Sequence, residues 1–169
     1  MANSFYTTYE AVFSAVKDVL DYVPSVPAVP AVPAHDGIPE VPEVPCVPES
    51  GVAKTVFVGE NYALTPDTPV VLIDASSSSV KPLEMGAGLE VTVRMNLLVL
   101  VRESAPEDWF DGIIDVMGDV VDAILANRTL SGAVQDIYPT NFAPGSISYR
   151  CKTFYGGQVT LEAVLYFEP

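Results

Sequence analysis

The chain has 169 residues, a length that suits one domain with a core of its own. Apolar residues make up 49 % and charged ones 18 %, a balance that excludes wholesale disorder. With 22 acids against 8 Lys and Arg the net charge is −14, so a nucleic-acid backbone would be repelled rather than bound.

No apolar run approaches the ~20 residues that a membrane-spanning helix needs. The opening Met-Ala-Asn-Ser-Phe-Tyr lacks the basic start and apolar core of a signal peptide, which points to synthesis in the cytoplasm. Cys46 and Cys151 form no CxxC and stand in unlike contexts, which argues against a disulfide framework. His35 is the sole histidine. Multi-histidine metal sites are therefore excluded, and a Ser-His-Asp triad would have to run through that one residue.

Residues 4–22 read as a first helix, capped by Asn3 or Ser4. Phe5, Tyr9, Val12, Phe13, Val16, Val19 and Leu20 recur at helical spacing and give it one face to bury. Glu10, Lys17, Asp18 and Asp21 do not make the basic face of a membrane-surface helix.

An unusual insertion follows over residues 23–50. Prolines stand at 24, 27, 30, 33, 39, 42, 45 and 48, each preceded by Val or Ile. Polyproline II has three residues per turn, so the prolines form one stripe and the valines a second, among them Val26, Val29, Val32, Val41, Val44 and Val47. His35-Asp36-Gly37 interrupts the series with a turn signal. Two conformations are open: one rod of roughly 80 Å, or two arms folded back at Asp36-Gly37. The valine stripe favours the folded form, because it needs a neighbour, and makes these valines candidate subunit-interface residues. The bland alternative is a semi-rigid spacer. Docking to an SH3-type groove lacks the flanking basic residue that orients such ligands.

After Ser50-Gly51, Val52–Val58 and Val70–Ile73 read as strands, and Ser76–Ser79 with Lys81-Pro82 as a polar loop. Val91, Val93, Met95, Leu97, Val99 and Val101 share one face of a long strand, opposite Glu90, Thr92, Arg94 and Asn96. From Leu97 both faces turn apolar, so that end is expected to be covered on both sides.

Ser104-Ala-Pro-Glu-Asp108 signals a helix start, and Pro106–Ala126 carries an apolar face from Trp109 to Leu125. Asp108, Asp111, Asp115, Asp119 and Asp122 fall at i,i+3 and i,i+4 spacing and line one side of it. Such a stripe is a solvated face in the plain case. It also suits a basic partner, or a channel where negative charge keeps DNA from sticking. Divalent-metal binding has less support, since no EF-hand loop surrounds these acids. The remaining strands are Val134–Tyr138, Ser146–Phe154 and Gln158–Phe167, with Tyr155-Gly-Gly157 as the hairpin signal between the last two. Tyr149, Tyr155 and Tyr166 are assigned to sheet packing rather than ligand stacking. The fold class is thus α+β: a mostly antiparallel twisted sheet with two amphipathic helices, in one domain over residues 1–169, plus the polyproline II-like insertion.

The order of these elements, and the phrase Ile124-Leu-Ala-Asn-Arg-Thr-Leu-Ser-Gly-Ala-Val134 above all, resembles tail terminator (tail completion) proteins of tailed bacteriophages. Members of that family commonly end a helix in a similar phrase before the next strand, and Thr129, Leu130 and Gly132 occupy its places here. The likeness covers residues 4–22 and 53–169; the Val-Pro insertion departs from it. The resemblance implies a ring, usually a hexamer, that caps the tail tube, stops its growth and presents a surface to the neck. It implies as partners further copies of the chain, the tail tube protein, a neck or head-completion protein and, in a contractile tail, the sheath. It implies no cofactor, no enzymatic activity, no membrane, no sequence-specific nucleic-acid binding, and a place in the virion. A head-tail connector or head-completion protein is the alternative within virions. A partner-binding module that displays the Val-Pro segment is the alternative of another class. An enzyme ranks last, for want of a nucleophile–base pair or metal constellation.

Overall fold

The structure, a computed structural model, describes residues 4–21, 51–59, 69–83, 88–102, 109–149 and 152–168. The Val-Pro valines, Asp108 and both cysteines lie outside them.

Helix α1 spans Phe5–Leu20. Ser4 caps it: its Oγ accepts from the Thr7 backbone N–H at 3.2 Å, satisfying one of the amides that a helix start leaves open. Val12, Phe13, Val16 and Leu20 are its buried residues, while Phe5 at the outer end of the stripe is exposed. Phe5 instead meets Phe167 edge-on at 5.6 Å between ring centroids, tying the first turn of α1 to the end of the last strand.

Five strands form one sheet: β1 (Thr55–Val58), β2 (Val70–Pro82), β3 (Leu89–Arg102), β4 (Asp136–Tyr149) and β5 (Lys152–Phe167), in the order β1-β2-β3-β5-β4. Only β1 and β2 run parallel; every other neighbouring pair is antiparallel. With α1 and helix α2 (Trp109–Ala126), this makes an α+β domain with a mostly antiparallel sheet.

The alternation along β3 organises the core. Val91, Val93, Met95, Leu97 and Val99 are fully buried, opposite Leu165, Ala163, Leu161, Val159 and Gly157 of β5 in register. Ile113, Met117, Val120 and Ile124 of α2 and the buried stripe of α1 close over this face. Leu125 does not join them and is 42 % exposed. The apolar run beginning at Leu97 is buried on its other side too: Leu100 belongs to a second cluster with Val70, Leu72 and Phe154.

Three segments fold differently from what the spacing predicts. Ser76–Ser79 is not a loop: β2 continues through the serines to Pro82, held by its pairing with β3. A polar run carries no burial signal, but a neighbouring strand can hold it extended. The hairpin also sits elsewhere. Gly156 and Gly157 lie inside β5, and the chain reverses between Tyr149 and Lys152, which pair with each other. The glycines serve close approach rather than a turn. A Cβ on Gly156 would run into the Val99 carbonyl oxygen, and one on Gly157 would lie 2.6 Å from the Ala143 oxygen and press on the Met117 sulfur. The expected strands Val134–Tyr138 and Ser146–Phe154 are also redrawn: β4 runs unbroken over Asp136–Tyr149 along β5, and the second of them is split by the turn between Tyr149 and Lys152.

Candidate functional site

The phrase that follows α2 folds into a compact turn. Asn127 N–H donates to the Ile124 oxygen at 3.1 Å, and Leu130 N–H to the Asn127 oxygen at 2.9 Å. Leu130, Ser131 and Gly132 then adopt successive left-handed conformations, with φ of 47°, 56° and 93°. Only glycine takes that region freely, so the first two residues are strained. Three contacts hold them. Leu130 is buried to 2 % exposure in the core, the Asn127 side-chain oxygen accepts from Ser131 N–H at 3.1 Å, and Thr129 O accepts from both Gly132 and Val134. Arg128 donates through Nε to Asp136 at 2.8 Å, fixing the turn to the start of β4. Of the three family-like residues, Leu130 is an anchor, Gly132 relieves a left-handed position, and Thr129 is an exposed residue acting through its backbone.

This turn stands beside α1. A groove lined by Ala15, Asp18 and Val19 on one wall and Asn127, Leu130 and Ser131 on the other runs along one side of that helix. A second groove lies between Thr7, Thr8 and Ala11 of α1 and Tyr166, Phe167 and Glu168 at the end of β5, with Gly132 and Ala133 at its head. Tyr166 is therefore a surface residue, 52 % exposed, rather than sheet packing.

Asp111, Asp115, Asp119 and Asp122 are all exposed on α2, on the side turned away from Ile113, Met117, Val120 and Ile124. The helix thus presents one apolar and one anionic face. Among the described residues no three His, Cys, Asp or Glu side chains are grouped to hold a metal ion. No helix among them is long and apolar enough to cross a membrane.

The outward face of the sheet carries a polar network that the sequence did not single out. Arg94 donates through Nε to Glu162 at 2.9 Å across the β3–β5 pair, and Tyr138 of β4 donates its hydroxyl to the other Glu162 oxygen at 3.3 Å. One step along, Thr160 donates to the Asn96 side-chain oxygen at 3.0 Å. Burial, and then the Glu162 carboxylate, push the Tyr138 hydroxyl above its usual 10.0. Arg94 and Glu162 each occupy a polar position of an alternating strand, and only the strand register brings them together.

The Val-Pro segment lies outside the described residues, which stop at its flanks. There Asp21 and Ala53 form a parallel bridge, and the N–H groups of Val52 and Ala53 both donate to the Leu20 oxygen at 3.0 Å. No family model matches the chain, and no curated protein matches it significantly.

Proposed function

We propose that this is a structural assembly protein that acts as a tail terminator of a tailed bacteriophage, forming a six-membered ring that caps the tail tube and joins it to the neck. The observation that carries this reading is the helix-ending phrase Ile124–Val134. Its likeness to the family is local, and it folds here as a strained turn, anchored by Leu130 and wedged beside α1. Strain of that kind persists only where the surroundings over-determine it, and it collects at places with work to do. The exposed anionic face of α2 supports the same reading, since a lumen that passes DNA must not hold it. The test is native mass spectrometry of the purified protein, with negative-stain images of the same sample. A six-fold ring with a central hole is expected; a twelve-fold ring supports a connector instead, and a strict monomer at every concentration counts against ring formation before contact with the tube.

A second reading, display of the Val-Pro segment to a partner, is favoured by one observation: the residues that flank it, Leu20 and Asp21 on one side and Val52 and Ala53 on the other, are hydrogen-bonded neighbours. A ring subunit and a displayed arm are compatible roles.

A further inference from the structure

The two margins of the sheet are built differently. The outer edge of β4 contains Pro139 and Pro144, whose nitrogens have no hydrogen to donate, and a bulge between Pro139 and Asn141. Such features blunt an edge against further pairing. At the other margin β1 pairs with β2 only from Val70 to Ile73. From Asp74 to Lys81 the outer side of β2 has no strand beside it among the described residues, contains no proline, and every residue is exposed. Open backbone groups along such a stretch are a template for another strand.

We propose that this β2 edge takes a second copy of the same chain, paired antiparallel about a two-fold axis at Ser78. The choice of occupant rests on the order of residues along the edge. The register with β3 shifts by one between Ala75 and Ser77, leaving Ser76 as the extra residue of a bulge. Pairing with β3 therefore puts Ala75, Ser78 and Val80 on the face of Met95, Val93 and Val91, and Asp74, Ser77, Ser79 and Lys81 on the face of Asn96, Arg94, Thr92 and Glu90. An axis through Ser78 sets Ser77 against Ser79 of the second copy. Counting across the bulge, Ala75 meets Val80 and Asp74 meets Lys81, and by symmetry each of these pairs occurs twice.

Every pair joins residues of one face, as antiparallel pairing requires. Val80, 48 % exposed alone, gains an apolar neighbour. Asp74 and Lys81 make no ion pair among the described residues, and each gains one. Without the bulge the same axis would pair Asp74 with Pro82 and Ala75 with Lys81. The bulge makes the edge self-complementary in charge.

A two-fold contact closes at two subunits and cannot by itself propagate a ring, so it is a surface separate from any six-fold contact, and its test is independent of the tail-terminator reading. Ser78→Cys in the full-length protein places two thiols on directly opposed residues, whose Cα separation of about 4.5–5.5 Å fits a disulfide. Mild oxidation is expected to give a covalent dimer linked through position 78 by peptide mapping, while Thr140→Cys on the β4 edge does not link. In sedimentation equilibrium Asp74→Lys and Lys81→Asp should each weaken the dimer by about tenfold. The combined charge swap should restore it. Absence of the linkage at position 78, or a double swap no better than either single change, overturns the proposal.

Discussion

Gly156 and Gly157 show how a single residue type can be present for opposite reasons. A pair of glycines between two apolar runs reads as a turn, yet here the absence of a side chain lets β3, β4 and α2 close on β5. Gly156→Ala would force the Val99 backbone to move and should destabilise the domain by about 3 kcal/mol or more, at the upper end of overpacking costs. Gly157→Ala has one compliant neighbour, Met117, and one rigid one, the Ala143 oxygen, and should cost ~1–3 kcal/mol. Urea denaturation of both variants measures the order. If either behaves as wild type, the close approach is wrong. Tyr138 supplies a pH-dependent term. Its folded-state hydroxyl titrates above 10.0, so its contribution is fully present below pH 10 and is lost as pH rises through the raised value. Tyr138→Phe should therefore flatten the alkaline arm of the stability–pH curve, where thermal melts of wild type and variant should converge. Neither effect is legible in the sequence, because each depends on which strands are neighbours.

At the level of elements, periodicity carried most of the information. Most of the stripe on α1, the alternation of β3 and most of the apolar face of α2 are buried where their spacing puts them, with Phe5 and Leu125 as exposed exceptions, because burial is what the spacing reports. What spacing does not show are segments whose conformation is imposed by a neighbour: the serines of β2, and the middle of β4 from Pro139 to Gly145, which contains Pro139, Pro144 and Gly145 and pairs with β5 only along one edge. In the turn after α2 the residues mark Gly132 as a special backbone position, but not the strain of the two residues before it. Gly132 is a residue expected at positive φ; Leu130 and Ser131 are not. Asn127→Ala removes the acceptor for Ser131 N–H and should cost about 1 kcal/mol, with amide exchange at Ser131 and Gly132 rising by more than the global loss of stability explains. The Val-Pro segment permits an equally direct experiment. Asp21 and Ala53, on either side of it, are bridged. Replacing residues 22–50 by a short Gly-Ser turn should leave the far-ultraviolet circular dichroism of the helices and sheet in place. If the segment grips a neighbouring subunit, the ring weakens; if it docks a separate partner, the ring survives and that binding is lost.

At the scale of the whole molecule, the distribution of charge separates two meanings of α2. Asp111, Asp115, Asp119 and Asp122 repel one another along one helix face, and each like-charged i,i+3 or i,i+4 pair costs ~0.2–0.5 kcal/mol. Changing all four to Asn should therefore stabilise the isolated domain by about 1 kcal/mol, with the gain shrinking as salt is added. That outcome is expected whether the stripe is merely solvated or lines a channel, so stability alone does not decide between them. Passage of DNA does. If the stripe faces the lumen of a ring on a tail, removing four carboxylates takes away repulsion along the path of the phosphates. Particles assembled with the variant should then eject DNA more slowly than wild type at low ionic strength, with the difference fading as salt screens the wall. If particles of both kinds eject at the same rate at every salt concentration, the acidic face of α2 is not the lumen wall. The carboxylates then serve the outer surface of the subunit, and the channel of the proposed ring must be lined by another element.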